Sequence, residues 1–156
     1  MENYLALFTL IGSILAIIFA GVKASKVLKA DEGTDKMKKI SASIRSGATA
    51  YLNRQYKILL VFFGGMFVIL SIMAALKLLT WFVPFAFITG GFFSGLSGYI
   101  GMYIATRANA RTANACRSSL NKGLNIAFSA GSVMGFSVVG LGLLDISIWY
   151  FITFIY

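Results

Sequence analysis

Apolar runs long enough to cross a lipid bilayer recur along this chain, and they set what it can fold into. Tyr4 to Val22, Val83 to Ile104 and Leu124 to Leu144 carry no charge at all, and Ile58 to Leu79 carries only Lys77. About 20 residues of helix, rising ~1.5 Å per residue, cross the ~30 Å hydrocarbon layer. Within that layer each backbone N–H and C=O must find its partner inside the protein, and a helix does this within one segment.

The runs predict an all-α membrane architecture with spans at about 4–24, 58–79, 83–104 and 124–144. A fifth run begins at Ile146 after Asp145 and reaches Tyr156. Eleven residues are too few to span a bilayer as a helix, so this run reads as a truncated fifth span. Residues 1–156 then form one membrane segment of a larger integral domain. A soluble domain is excluded, because with 58% hydrophobic and 12% charged residues the surface could not be covered with polar groups. The single proline, Pro84, suits the first turn of the third span, and Trp81 beside it suits a membrane interface.

Charge lies between the runs. The net charge of +9 would point to nucleic acid in a soluble protein, but here it is loop bias and excludes a nucleic-acid partner. Nine basic residues fall between Lys23 and Lys57, and Arg107, Arg111, Arg117 and Lys122 fill the stretch 105–123 without an acid. Both stretches face the same side. The positive-inside rule makes that side the cytoplasm, so the chain is expected to be a multi-pass protein of the plasma membrane with its N-terminus outside. Glu2 before the first run and Lys23, Lys26 and Lys29 after it argue against a cleavable signal peptide.

The stretch 23–57 reads mostly as helix. Thr34 is placed to cap its start, with Asp35 in the first turn. Met37, Ile40, Ile44, Ala48, Tyr51 and Gln55 recur at spacings of three and four. The pattern predicts one long helix that stands out of the membrane and then enters it, with Asp31, Glu32 and Asp35 solvated among lysines at its start.

Small residues line three of the runs. Gly91, Gly95 and Gly98 share a face of the third span, Gly131 and Gly135 continue a four-residue period in the fourth, and Gly12, Ala16, Ala20 and Ala24 do so in the first. Such faces let helix backbones approach closely, so Gly91, Gly95, Gly98, Gly131 and Gly135 are expected at helix contacts. A backbone-lined ion path is the other use of such faces. Nothing catalytic is expected in the chain. It has no histidine, its one cysteine, Cys116, has no base beside it, and no strand precedes its glycines to make a nucleotide loop. Asp145 reads as an interfacial carboxylate at the end of the fourth span, and no carboxylate cluster suits magnesium.

Three sets of strings add a resemblance. Glu32-Gly33-Thr34-Asp35-Lys36-Met37 is followed by Ile44-Arg45-Ser46-Gly47-Ala48-Thr49-Ala50-Tyr51-Leu52-Asn53-Arg54-Gln55-Tyr56. Gly98-Tyr99-Ile100-Gly101-Met102 is followed by Ala105-Thr106-Arg107-Ala108-Asn109-Ala110-Arg111-Thr112, and Gly131-Ser132-Val133-Met134-Gly135-Phe136-Ser137 by Gly140-Leu141-Gly142-Leu143. In order and topology these resemble the first cytoplasmic loop, the third span with its following loop, and the fourth span of membrane-bound pyrophosphatases, the pyrophosphate-energised sodium or proton pumps.

The resemblance implies a parent of about sixteen helices in two concentric rings, working as a homodimer in the lipid bilayer. It implies hydrolysis of pyrophosphate with magnesium as cofactor, and with potassium in some members. The family's catalytic aspartates and lysine lie downstream, so no catalytic, substrate-binding or metal-binding residue carries over to this chain. The segment is expected to support the remaining helices of the parent and to be inactive alone. The alternative is a small membrane scaffold or assembly subunit without catalysis.

Overall fold

The computed structural model describes the backbone of residues 2–155 and the side chains of residues 7–154. Tyr156, the last residue of the expected fifth run, and the side chains of Glu2 and Tyr4 lie outside the described residues. Four helices follow one another: α1 (Glu2–Lys29), α2 (Asp35–Ala75), α3 (Phe82–Cys116) and α4 (Leu120–Ile155). Each is long and apolar enough to cross a membrane. The protein is thus an all-α, multi-pass membrane segment.

Helix α2 is the long helix expected from the sequence. Thr34, in extended conformation, accepts a hydrogen bond at Oγ1 from the Met37 N–H at 3.4 Å, and Asp35 sits in the first turn. Its 41 residues make a rod of about 60 Å, twice the hydrocarbon thickness. The rod ends in a Schellman turn. The Leu78 N–H donates to the Met73 carbonyl and the Lys77 N–H to the Ala74 carbonyl, with Lys77 in the left-handed region at φ 60°. Helix α3 then starts at Phe82 with Pro84 in its first turn.

The packed face of α2 follows the periodicity only in part. Met37, Ala48 and Gln55 are half-buried, but Ile40, Ile44 and Tyr51 are exposed, and the positions next to them, Ser41, Arg45 and Leu52, with Tyr56, Leu59 and Phe63 further on, turn toward the protein. Spacings of three and four fit either face, and the face chosen is the one that brings Arg45 and Tyr56 to their polar partners.

The connections are shorter than expected. Residues 105–116 continue α3, and only 117–119 separate it from α4. The expected fourth span and truncated fifth run are one helix. Nothing at 145–147 breaks it: aspartate in a helix interior costs less than ~1 kcal/mol, and no glycine or proline follows. The Ser147 hydroxyl donates to the Leu143 carbonyl at 2.7 Å, and Thr9 and Ser147 share a hydrogen bond of 3.0 Å across α1 and α4.

Antiparallel packing orders the bundle as α2–α3–α4–α1, with α2 resting on α3 alone. The buried core is made of small residues and short aliphatics: Ala20 and Val27 of α1, Ile104 and Ala108 of α3, and Ala130 and Val133 of α4. Large apolar side chains point outward, among them Val61, Leu60, Phe8 and Phe128, each at least 70% exposed. In water such a surface would aggregate; in lipid tails it costs nothing.

Two of the five expected packing glycines lie at tight contacts or polar ones within this bundle. A Cβ on Gly91 would sit 2.5 Å from the Phe63 ring, and the Gly95 carbonyl accepts the Tyr56 hydroxyl at 2.7 Å. Gly98 faces the same tyrosine at ordinary contact distance, 3.8 Å from a built Cβ. Gly131 and Gly135 meet nothing within 4 Å among the described residues. On α4 the glycines at close approaches are instead Gly123, where a Cβ would collide with Cys116 Sγ and lie 3.2 Å from the Thr112 carbonyl oxygen, and Gly140, where it would lie 3.2 Å from the Ser13 carbonyl oxygen and 2.8 Å from Ile17. Gly91→Ala is therefore expected to destabilise by ~1–3 kcal/mol through overpacking. In the same four-helix unit Gly131→Ala is expected to be neutral or to stabilise by up to ~1 kcal/mol, as alanine favours helix. Thermal unfolding in detergent checks both; equal effects would mean that the Phe63 contact does not form.

Candidate functional site

The polar centre of this chain lies at its basic end, where α1 stops, α2 starts and α3 passes between them. A helix leaves its last carbonyls without partners, and here they point at Arg111 of α3. Arg111 Nε donates to the Ala30 carbonyl at 2.9 Å and Nη2 to the Leu28 carbonyl at 3.2 Å. Nη1 reaches the Arg107 carbonyl at 2.6 Å and the Glu32 carboxylate at 2.9 Å. The side chain is buried, and its charge also suits the negative end of the α1 dipole.

Glu32 stands in the link between α1 and α2 and holds two guanidinium groups. Its Oε1 accepts from Arg45 Nη1 of α2 at 2.8 Å as well as from Arg111. The hydrogen bond from Arg45 holds the Glu32 carboxyl below its ordinary 4.5, and the charges of Arg111 and Arg45 add to this; partial burial pulls the other way. Gly33 next to it has φ 87°, and a Cβ there would collide with the Asn114 amide at 2.7 Å and the Met37 sulfur at 2.8 Å, so only glycine fits. Asn114 Nδ2 in turn donates to the Asp31 carboxylate at 3.2 Å, which also accepts from the Gly33 N–H at 3.1 Å.

This arrangement corrects the expectation of three solvated acids on one helix. Asp31 and Glu32 precede α2, and Glu32 is an ion-pair centre with its side chain 19% exposed. Only Asp35 matches, in an exposed pair with Lys38 at 3.6 Å that contributes little. The sequence offers no signal for the Glu32–Arg45–Arg111 cluster, since its members sit on separate elements and share no period.

Asp145 is the second correction. It lies mid-helix rather than at a boundary, with Oδ2 3.4 Å from a Cβ built on Gly90 of α3. Gly90 is about 12 Å along α3 from its start at Phe82, so the carboxylate stands beside the interior of α3 and not its end. A cavity of about 430 Å³ opens there, lined by Ser94, Ser97 and Gly142, and Oδ1 is buried with no hydrogen-bond partner. One turn further on, Trp149 Nε1 donates to Thr89 Oγ1 at 2.7 Å, which seats the end of α4 against the start of α3.

The chemistry available here is that of holding helices together. Among the described residues no group of three or more His, Cys, Asp or Glu side chains could hold a metal ion. The four acids among the described residues do not fit magnesium: Glu32 is committed to two arginines, Asp31 to Asn114, Asp35 is exposed beside Lys38, and Asp145 is isolated in α4.

Comparison with known proteins places this geometry. The family described as inorganic H+ pyrophosphatase matches residues 14–155. The chain belongs to that family. It is 53% identical, over 96% of its length, to a putative K(+)-stimulated pyrophosphate-energized sodium pump of Bacteroides thetaiotaomicron. It is 46% identical over 87% of its length to K(+)-insensitive pyrophosphate-energized proton pump 2 of Moorella thermoacetica, and 38% over 90% to a K(+)-insensitive proton pump of Methanosarcina mazei. It spans about a fifth of the length of these relatives: 21%, 19% and 20%. The matched region takes in Glu32, Arg45 and Arg111.

Arg111→Lys is expected to lower the unfolding temperature nearly as much as Arg111→Met, because one ammonium cannot reach two α1 carbonyls and Glu32 together. Charge-assisted hydrogen bonds contribute ~1.5–3 kcal/mol each, so the loss is several kcal/mol. Rescue by lysine would contradict the clamp. The depressed Glu32 carboxyl contributes stability that is complete above about pH 4.5 and lost as pH falls through the lower folded value. An acid titration of the unfolding temperature should show this loss in the natural protein and less of it in Glu32→Gln.

Proposed function

We propose that this chain is the first membrane segment of a pyrophosphate-energised ion pump. The parent hydrolyses pyrophosphate to phosphate with magnesium, and couples this to movement of sodium ions or protons; relatives named for each ion match the segment. Some of those relatives are named as K(+)-stimulated and others as K(+)-insensitive, so potassium is a cofactor in one branch. The observation that carries the reading is the family match across nearly the whole chain.

In this reading the segment anchors and orients. The basic end, with Arg45, Arg107, Arg111, Arg117 and Lys122, faces the cytoplasm, and the N-terminus lies outside, as loop charge dictates. The open faces at Gly131 and Gly135 receive the remaining helices of the parent, and the assembled pump is a homodimer. Hydrolysis belongs to residues outside this segment. It requires divalent ions to neutralise the substrate and activate water, and of the acids of this segment Glu32 and Asp31 are held by arginines and Asn114. A scaffold subunit without catalysis is the rival reading, and the length of the relatives speaks for the pump.

The test is phosphate release from magnesium pyrophosphate by membranes carrying the full-length protein, beside membranes carrying residues 1–156 alone. Activity in the first and none in the second is expected. An inactive full-length protein would remove the pump reading. Turnover by the segment that survives Asp31→Asn, Glu32→Gln and Asp35→Asn together would place a catalytic site within it.

A further inference from the structure

We propose that the basic end of this bundle holds an anionic phospholipid, with its phosphate in a cleft between α1, α3 and α4. The cleft holds about 640 Å³, and Lys26 of α1, Arg117 after α3 and Lys122 of α4 line it. None of the three makes an ion pair among the described residues, in contrast to Arg45 and Arg111 nearby. The one acid on the rim, Asp31, is already held by Asn114 and the Gly33 N–H. Asn125 and Ser129 of α4 add neutral polar groups to the wall. Three unpaired cations around a mostly apolar cleft suit a phosphate monoanion that carries apolar chains, since they compensate its charge and can share its oxygens.

Depth distinguishes a lipid from a free anion. Seven residues before Lys26, hence on the same face of α1 and about 10 Å closer to the membrane interior, is Phe19. Seven residues after Ser129, hence on the same face of α4 and equally deep, is Phe136. These two rings pack together at 4.6 Å between centroids, and each is 41% exposed. Lys23 lies between the two levels, its ammonium 5.2 Å from the Phe19 ring. Lys26 thus stands about 10 Å above an apolar aromatic pair, and Lys122, fourteen residues before Phe136, about 20 Å above it. A lipid with its phosphate among the cations would lay its chains along this face over Phe19 and Phe136, whereas a free phosphate would touch neither ring. The inference stands on the geometry of the cleft and does not depend on the pump reading.

Native mass spectrometry of the purified full chain, incubated with phosphatidylglycerol or phosphatidylcholine in detergent, tests it. Near a membrane surface each basic residue contributes about a fivefold change in affinity for an anionic lipid, and three about a hundredfold. Lys26→Gln and Lys122→Gln should each weaken phosphatidylglycerol retention about fivefold, and the triple variant with Arg117→Gln about a hundredfold. The triple Lys36→Gln, Lys38→Gln, Lys39→Gln removes the same charge from exposed positions on α2 and should change nothing. The single variants keep the test decisive if the triple fails to fold. Equal retention of phosphatidylcholine, equal losses in the α2 triple, or no retained lipid at all would overturn the proposal. Displacement of the lipid by millimolar inorganic phosphate or pyrophosphate would overturn it as well, by assigning the cleft to a free anion.

Discussion

Arg111 is the interaction on which the arrangement of these helices depends. In lipid, helices gain nothing by hiding apolar faces from one another, so their mutual placement must come from close packing and from polar bonds. Arg111 supplies the polar bond where α1 leaves the apolar layer. One planar guanidinium closes two of the orphan carbonyls of α1, holds Glu32 in the following link, and stays attached to its own helix through the Arg107 carbonyl. Because Arg45 binds the same carboxylate, the direction in which α2 departs is fixed by the same contact. Neither α1 nor α2 touches the other as a helix; both are referred to α3.

Inside the apolar layer the small residues take over. Ser13, Ala16 and Ala20 of α1 are buried, and Gly140 of α4 lets the α1 backbone come close. Between α2 and α3 the packing is looser and aromatic. Phe63 covers Gly91 and meets Phe87 at 5.2 Å, Phe67 meets Phe85 at 5.7 Å, and an apolar groove of about 420 Å³ remains beside them. A rod of 41 residues that rests on one neighbour leaves most of its surface for lipid or for further helices.

Much of this was legible in the sequence. Charge-free runs of about 20 residues leave one solution in a bilayer, and Thr34 and Pro84 stand where helix starts require them. The strings from Glu32 to Tyr56 and from Gly98 to Thr112 indicated the family that the comparison established. Helix ends were less legible. A membrane span stops being apolar before it stops being helical, so α3 runs on to Cys116 through its arginines. Asp145 interrupts hydropathy without interrupting hydrogen bonding, and two apparent runs are one helix. The Glu32 cluster was not legible, because ion pairs between distant elements leave no periodic trace. Glycine stripes point to close approach without locating it: a Cβ on Gly91, Gly123 or Gly140 would meet a neighbour at close range, and one on Gly131 or Gly135 would meet nothing within 4 Å among the described residues.

In the proposed reading, residues 1–156 are a structural unit that the rest of a pyrophosphate-driven pump needs for its fold and not for its chemistry. Co-expression of this segment with the remainder of the parent as two separate chains measures it most directly. Pyrophosphate hydrolysis in the membranes should be absent with either chain alone and return when both are present, and Arg111→Met in the segment should weaken that return. Hydrolysis by the remainder alone, undiminished by the lack of this segment, would contradict the account.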